Sequence, residues 1–247
     1  MRKIGHKGAD AVVPGNTIAS FEAAVELGVE MIELDVLRLA DGAPGLPAAQ
    51  RSPLVVAHDW HTADLGPRLT LAEALDAFTR APLDRVEIDL DLKLPGREDE
   101  LVAALAERDL IDRAMVSTME RSSLDAIREL EPRLRRGWTY PRVSRDWLGP
   151  RWAWARPAMR AALVAMRGRL PALARRELPR LAVEALWVYH PLISAPLLRA
   201  TGEAGVELIA WTVDDLPRMQ ALAALGVDGI CSNNPQLFAS LEQAEVA

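Results

Sequence analysis

Short apolar runs recur along the chain, separated by longer stretches whose apolar positions fall three and four apart. The runs are those of strands and the stretches those of amphipathic helices, so the pattern is one of repeated βα units. Strands are expected at KIGHKG (3–8), MIELDV (31–36), PLVVAHD (53–59), RVEIDLDLK (85–93) and AMVSTM (114–119). Further strands are expected at RRGWTY (135–140), ALWVYH (185–190), ELIAWTV (207–213) and DGICSN (228–233). Helices are expected at NTIASFEAAVELG, with Asn16 as N-cap and Gly28 as stop, and at TLAEALDAFTR, REDELVAALAERD, ERSSLDAIRELEP and DDLPRMQALAALG.

Nine strands exceed by one the number in a closed eight-stranded βα barrel. The excess lies between Asp35 and His58, where three Pro and two Gly break any helical period. A parallel crossover needs a dozen or more residues and usually a helix, so 53–59 is expected to return as the arm of a hairpin. The fold expected is an α/β (β/α)8 TIM barrel, residues 1–247 forming one domain. It carries a β-hairpin after strand 2 and a helical Trp/Arg-rich insertion, 141–180, before strand 6.

Catalytic groups in such barrels sit where strands run into the loops that follow them. His6, Glu33, Asp35 and Asp91 fall late in their strands, and His58 ends the hairpin arm. Glu33 and Asp35 are two apart, so they share a face at roughly 6.5–7 Å along the strand. Either they hold a divalent cation, for which oxygen ligands suit Mg²⁺ or Ca²⁺, or one pairs with an Arg and the other meets solvent. The strand VEIDLDLK puts Glu87, Asp89, Asp91 and Lys93 on one face. Buried charges are rare unless paired or metal-bound, which favours the cation. Asp91, nearest the mouth, is the expected third ligand, with Asp89 as the alternative and Lys93 free to hold an anionic substrate group. His6 and His58 are candidates to move protons near neutral pH. His190, at another strand end, could line the same mouth, while His61 is expected on a solvated turn.

Composition narrows the partners. Half of the 247 residues are hydrophobic and the formal net charge is −6, which excludes a generally nucleic-acid-binding chain. The single cysteine, Cys231, forms no internal disulfide. No leader-like stretch opens the sequence and no run of about 18 apolar residues occurs, so a cytoplasmic protein is expected. Residues 141–180 break the pattern, with ten Arg against Asp146 and Glu177 and with Trp147, Trp152 and Trp154 at their start. A helix from Arg156 to Arg169 would put Arg156, Arg160 and Arg167 on one stripe, with Met159, Val164 and Met166 among the apolar remainder. This segment is either a helical hairpin whose Arg stripe pairs with the acidic body, or an interfacial helix that makes peripheral contact with a membrane of anionic lipid.

The whole chain resembles the glycerophosphodiester phosphodiesterase family, of the phospholipase C-like phosphodiesterase superfamily. HKG (6–8) is similar to its His-Arg-Gly opening, PGNT (14–17) to its Pro-Glu-Asn-Thr and GVEMIELDV to its Ile-Glu-x-Asp strand. DG…PLVVAHD is similar to its hairpin and DLKLPG (91–96) to its Glu-x-Lys strand, and VSTM, WTVDD and GVDGICSNNP to its later signatures. The resemblance implies hydrolysis of a glycerophosphodiester to glycerol 3-phosphate and an alcohol, the glycerol 2-hydroxyl attacking first through a cyclic phosphate. It implies one divalent cation on Glu33, Asp35 and Asp91, and acid–base work by His6 and His58. It further implies phosphate or substrate contacts from Lys7, Lys93 and Asn16, with Trp211 either an apolar wall against the substrate or a core side chain at its strand end. Where the family has Arg, Glu, Glu and Thr-Asp, this chain has Lys7, Gly15, Asp91 and Ser232-Asn233. Two other activities fit the residues: a lysophospholipase D-like hydrolysis at a membrane, and a barrel that binds phosphorylated glycerolipids without turnover.

Overall fold

Period-two alternation becomes a barrel because each strand has one face for the helices and one for the axis. In the computed structural model, which describes residues 1–40, 51–64, 69–142 and 156–246, the strands are β1 (Arg2–His6), β2 (Met31–Leu37), β3 (Val55–Val56), β4 (Glu87–Leu92) and β5 (Ala114–Thr118). They continue as β6 (Arg135–Tyr140), β7 (Ala185–Tyr189), β8 (Glu207–Trp211) and β9 (Gly229–Ser232). Eight of them run parallel in the order β1-β9-β8-β7-β6-β5-β4-β2, and a β1–β2 pairing closes the ring. The (β/α)8 barrel is therefore as expected. β3 stands outside the ring, antiparallel to β2 with Val36 opposite Val56 and Leu37 opposite Val55, so the hairpin forms, although its regular part is shorter than 53–59.

Helices cover the ring: α1 (Ile18–Glu26), α3 (Leu71–Phe78), α4 (Glu98–Ala106), α5 (Arg121–Leu130), α6 (Arg156–Leu181), α7 (Ala195–Ala204), α8 (Leu216–Leu225) and α9 (Gln236–Val246). The outward side chains of the strands, such as Leu34, Ile88, Val116, Leu186 and Leu208, meet Phe21, Leu75, Leu101, Leu124, Ala174 and Leu197 of these helices in one core. Helix starts follow local chemistry. Thr70 and Glu73 form a reciprocal capping box on α3, and the Asp215 carboxylate accepts from Arg218 N on α8. On α1 the cap is Thr17, not Asn16. Thr17 Oγ1 accepts from Ser20 N, while Asn16, in the left-handed region at φ 58°, turns its side chain to the barrel mouth.

Along the axis the barrel changes character in steps. At the bottom Arg2 pairs with Glu207 at 2.7 Å, and Glu87 receives Arg2 at 3.5 Å and Arg135 at 3.0 Å. Above this ionic layer Ile4, Met31, Met115, Ala185, Trp187, Ile209 and Cys231 form a second, interior apolar cluster. Polar side chains return with Asp89 in the middle of β4 and then at the C-terminal ends of the strands, which places the open site at one mouth.

The segment between β6 and β7 departs from expectation. No extra helical hairpin stands beside the barrel helix among the described residues, because α6 itself joins the two strands. Its second half buries Leu170, Ala174, Leu178 and Leu181 at helical spacing, whereas its first half, to Arg169, buries no side chain. Among the described residues the ion pairs of α6 lie in that second half, Arg175 with Glu203, Arg176 with Glu177 and Glu177 with Arg121 of α5. Arg167 donates instead to the Pro191 carbonyl at 2.8 Å, so among the described residues the expected stripe of Arg–acid pairs is not formed. Trp147, Trp152 and Trp154 lie outside the described residues.

Candidate active site

Strand register assembles the acids. Glu33 and Asp35 point into the barrel from β2, and the parallel pairing sets Asp35 opposite Asp91 and Glu33 opposite Asp89 on β4. On the other side His6 of β1 lies opposite Glu33. One oxygen from each of Glu33, Asp35 and Asp91 lies within 4.8 Å of the others, and Glu33 and Asp35 are buried. Glu33 and Asp91, with His6, His58 and Lys93, line a cavity of about 150 Å³ at the mouth, and Asp35 is fully buried beside them.

Asp89, the alternative ligand, is one layer deeper. It is fully buried, accepts a 2.7 Å hydrogen bond from Ser117 Oγ, and is no part of the three-carboxylate group. Burial, with the nearby charges of Glu33 and Asp91, pushes its carboxyl well above the usual range. The four polar positions of β4 thus divide among three levels, with Glu87 in the bottom ionic layer, Asp89 in the middle, and Asp91 and Lys93 at the mouth.

Lys93 Nζ stands between Asp35 Oδ1 and Asp91 Oδ2, at 2.5 Å from each. Burial alone would lower its pKa, but the facing carboxylates hold it above the ordinary value, so the ammonium persists. Burial would likewise raise Asp35, yet the Lys93 ammonium holds it below the carboxylate range. Glu33 goes the other way, pushed up by burial and by Asp35. Its Oε2 accepts from the Lys7 backbone N–H at 2.9 Å, which fixes its direction.

The two histidines are held differently. His6 Nδ1 lies 2.6 Å from Asn233 Oδ1, and Asn233 Nδ2 donates to Asp214 Oδ2 at 2.7 Å while Asn233 N donates to Asp214 Oδ1 at 2.8 Å. With its amide nitrogen committed to a carboxylate, Asn233 presents its oxygen to His6. His6 must then carry the proton on Nδ1 and leave Nε2, 3.8 Å from Glu33 Oε2, as the free base. Burial lowers the His6 pKa and keeps the ring neutral. His58 is exposed at the rim, 3.1 Å from Asp59 Oδ2. It rides on the hairpin, which has its own small core of Leu37, Leu39, Val55, Ala57 and Ala63.

Other expected residues take up varied positions. Asn16 Nδ2 donates to Asp35 Oδ2 at 2.7 Å and Asn16 Oδ1 accepts from Asp35 N at 3.2 Å, so it orients a carboxylate. Lys7 Nζ pairs with Asp10 Oδ2 at 2.6 Å. Gly15 leaves room for that acid, since a Cβ there would lie 2.4 Å from Asp10 Oδ1. Trp211 lines the cavity, with its ring 5.7 Å from that of Tyr189. His190 does not line it. Its Nδ1 accepts from Arg218 Nε at 3.1 Å and its carbonyl accepts from Arg218 Nη2, beside the loop into α7. His61 is exposed in the short helix α2 (Trp60–Asp64), not on a turn. The sequence reading passed over Asp214, Ser117, Thr139 and Trp187. None of the four carries a local signal of its role, and Asp214 lies beyond the end of β8.

The parallel barrel thus brings three carboxylates, a lysine and two histidines together at its C-terminal mouth. A family model described as the glycerophosphoryl diester phosphodiesterase family matches residues 6–107 and 70–237, and the chain belongs to that family. A glycerophosphodiester phosphodiesterase of Caldanaerobacter subterraneus subsp. tengcongensis is 27% identical over 271 residues, covering 96% of each chain. Among solved structures, a glycerophosphoryl diester phosphodiesterase described as putative, from Agrobacterium tumefaciens, superposes with a TM-score of 0.75 at 16% identity, covering 100% of this chain and 99% of that one. An Oleispira antarctica phosphodiesterase in complex with the product sn-glycerol-3-phosphate superposes with a TM-score of 0.67 at 21% identity, covering 98% and 97%.

Proposed function

We propose that this phosphodiesterase hydrolyses glycerophosphodiesters to glycerol 3-phosphate and an alcohol, with one divalent cation and a histidine pair. The observation that carries the reading is the meeting of three carboxylates from two strands with two histidines around one small cavity. An all-carboxylate donor set is hard and suits Mg²⁺ or Ca²⁺. Glu33, Asp35 and Asp91 would hold the ion, which when bound would offset charge on the phosphate oxygens. Asn16 and the Lys7 amide keep two of those carboxylates aimed at it. Lys93, kept charged by its neighbours, offers an ammonium to an anionic phosphate oxygen. His6, neutral and with Nε2 free, takes the proton of the attacking glycerol 2-hydroxyl. His58, at the rim, gives a proton to the departing alcohol oxygen as its bond to phosphorus breaks. Water then opens the cyclic phosphate, losing a proton to His58, while His6 returns one to the glycerol 2-oxygen, which gives glycerol 3-phosphate. The product-bound Oleispira relative is consistent with glycerol 3-phosphate as a product here.

The test is release of glycerol 3-phosphate from glycerophosphocholine with Mg²⁺, with Ca²⁺ and with EDTA. Turnover is expected only with metal, and Glu33→Ala/Asp35→Ala is expected to abolish it. Turnover that survives EDTA would sink the metal part of the reading.

A second reading concerns where the substrate is met. The first half of α6 has Val164 71% exposed and offers Arg156, Arg160 and Arg167. Val12 and Trp60, in segments that follow β1 and β3, are also exposed. Basic and apolar groups together suit a peripheral contact with anionic lipid, and with it a lysophospholipid substrate. Among the described residues no helix is long and apolar enough to cross a membrane. The protein is expected to sediment with phosphatidylserine vesicles at low salt, and Arg156→Glu/Arg160→Glu is expected to release it. Equal sedimentation of the variant would remove α6 from the contact.

A further inference from the structure

One wall of the cavity is not used by the chemistry above. It is built by β6, β7 and β8, which by strand order lie across the barrel from the acidic strands β2 and β4. Thr139 of β6 and Trp187 of β7 are directly opposed in the parallel register, and both line the cavity. They are 6% and 3% exposed, and Thr139 Oγ1 and Trp187 Nε1 are buried atoms with no hydrogen-bond partner among the described residues. Trp211 Nε1 of β8, lining the same cavity, is a third such atom.

An unmatched buried polar atom is costly and rare, and three on one cavity wall call for an occupant that matches them. The Trp187 indole is also seated closely. Gly137 lies two residues before Thr139, and a Cβ there would stand 2.7 Å from both Trp187 Cδ1 and Trp187 Nε1. The absence of a side chain at Gly137 is what lets the indole edge lie beside Thr139. An indole N–H only donates, and a threonine hydroxyl donates and accepts. The wall therefore offers donors to neutral oxygens without presenting a charge.

We propose that Thr139 and Trp187, with Trp211 at their side, form a hydroxyl-binding subsite that takes the polyol portion of the substrate and selects a free glycerol over an acylated one. This rests on the reading of the acidic wall as the phosphate site, and it decides against a lysophospholipid as substrate. A phosphoglycerol held at that wall, with its 2-hydroxyl at His6, directs its terminal hydroxyl across the barrel to these donors. An ester in place of a hydroxyl loses its own donor, so Thr139 Oγ1 is left without its donating partner, and the acyl chain adds bulk to a cavity of about 150 Å³.

The experiment is calorimetric binding of glycerol 3-phosphate and of inorganic phosphate, in the same buffer with Mg²⁺, to the wild type, Thr139→Val, Thr139→Ser and Trp187→Phe. Loss of one matched hydrogen bond is expected to weaken glycerol 3-phosphate roughly five- to tenfold in Thr139→Val and in Trp187→Phe. Inorganic phosphate is expected to bind all four alike, and Thr139→Ser to keep wild-type affinity for both. Equal weakening of both ligands would assign these residues a structural role, and unchanged glycerol 3-phosphate affinity would leave them to solvent. Either result overturns the subsite. Hydrolysis of glycerophosphocholine by the wild type is measured separately. A chain that prefers glycerol 3-phosphate through Thr139 but turns nothing over keeps the subsite and loses the catalytic reading.

Discussion

Side chains outside the first ring around the cavity decide what those inside it can do. Asp214 never reaches the cavity lining, yet by fixing the amide of Asn233 it fixes the tautomer of His6. Gly15 and Asp10 act similarly on Lys7, whose ammonium is held to Asp10. His190 shows the reverse case, a histidine at a strand end held for structure. Burial first, and then the Arg218 guanidinium, pushes its pKa down from 6.5 to about 4. Above pH 6.5 the ring is neutral folded or unfolded, and it adds nothing to the pH dependence. Between pH 6.5 and about 4 the unfolded chain binds the proton more readily, so the folded state loses stability as pH falls through that window. The ring is half-buried, so solvent screens part of the effect. Denaturant melts of the wild type and His190→Gln should run parallel above pH 6.5 and diverge below it, with the wild type losing more. Parallel curves down to pH 4 would mean that the Arg218 contact does not perturb this ring.

At the scale of elements, what the sequence disclosed and what it hid follow from range. The alternation of VEIDLDLK and MIELDV reports which residues share a face, because a strand's period is set locally. Placement of Glu33, Asp35 and Asp91 at one mouth followed from that face and from the strand-end rule. The division of labour along β4 did not, since Glu87 and Asp89 are sorted by Arg2, Arg135 and Ser117 on other strands. A break in helical period between Asp35 and His58 was enough to mark the hairpin, although its regular pairing covers only Val55 and Val56. α6 was harder. Its Arg and Ala positions are compatible with a helix at either end, and only the packing of Leu170, Ala174 and Leu178 shows where the barrel's own helix begins. Thr139 and Trp187 carried no local signal, because an unmatched hydroxyl or indole exists only once the neighbouring strands are in place.

For the molecule as a whole, the barrel interior sets paired charges at one end and a group of three carboxylates at the other. The ionic layer at the bottom pairs Arg2 and Arg135 with Glu87 and Glu207, and the apolar layer above it isolates that end from the mouth. At the mouth, three carboxylates face Lys93 alone among the cations that contact Asp35 and Asp91. A cation that binds only the folded chain stabilises it by about 2.7 kcal/mol at 100 times its Kd. For a chain of this length, with ~2–4 °C per kcal/mol, that is a rise in Tm of about 5–10 °C. Lys93 makes the argument testable, because its ammonium already occupies the space between Asp35 and Asp91, so a cation gains only what exceeds that contact. Lys93→Met removes the stand-in charge. Its Tm in EDTA should fall below that of the wild type, since buried carboxylates left facing one another repel. Its rise on adding Mg²⁺ or Ca²⁺ should exceed the wild-type rise. Thermal scans of both proteins with and without metal measure this directly. Equal rises would mean that ammonium and cation occupy separate places, and no rise in either protein would dismiss Glu33, Asp35 and Asp91 as a metal site.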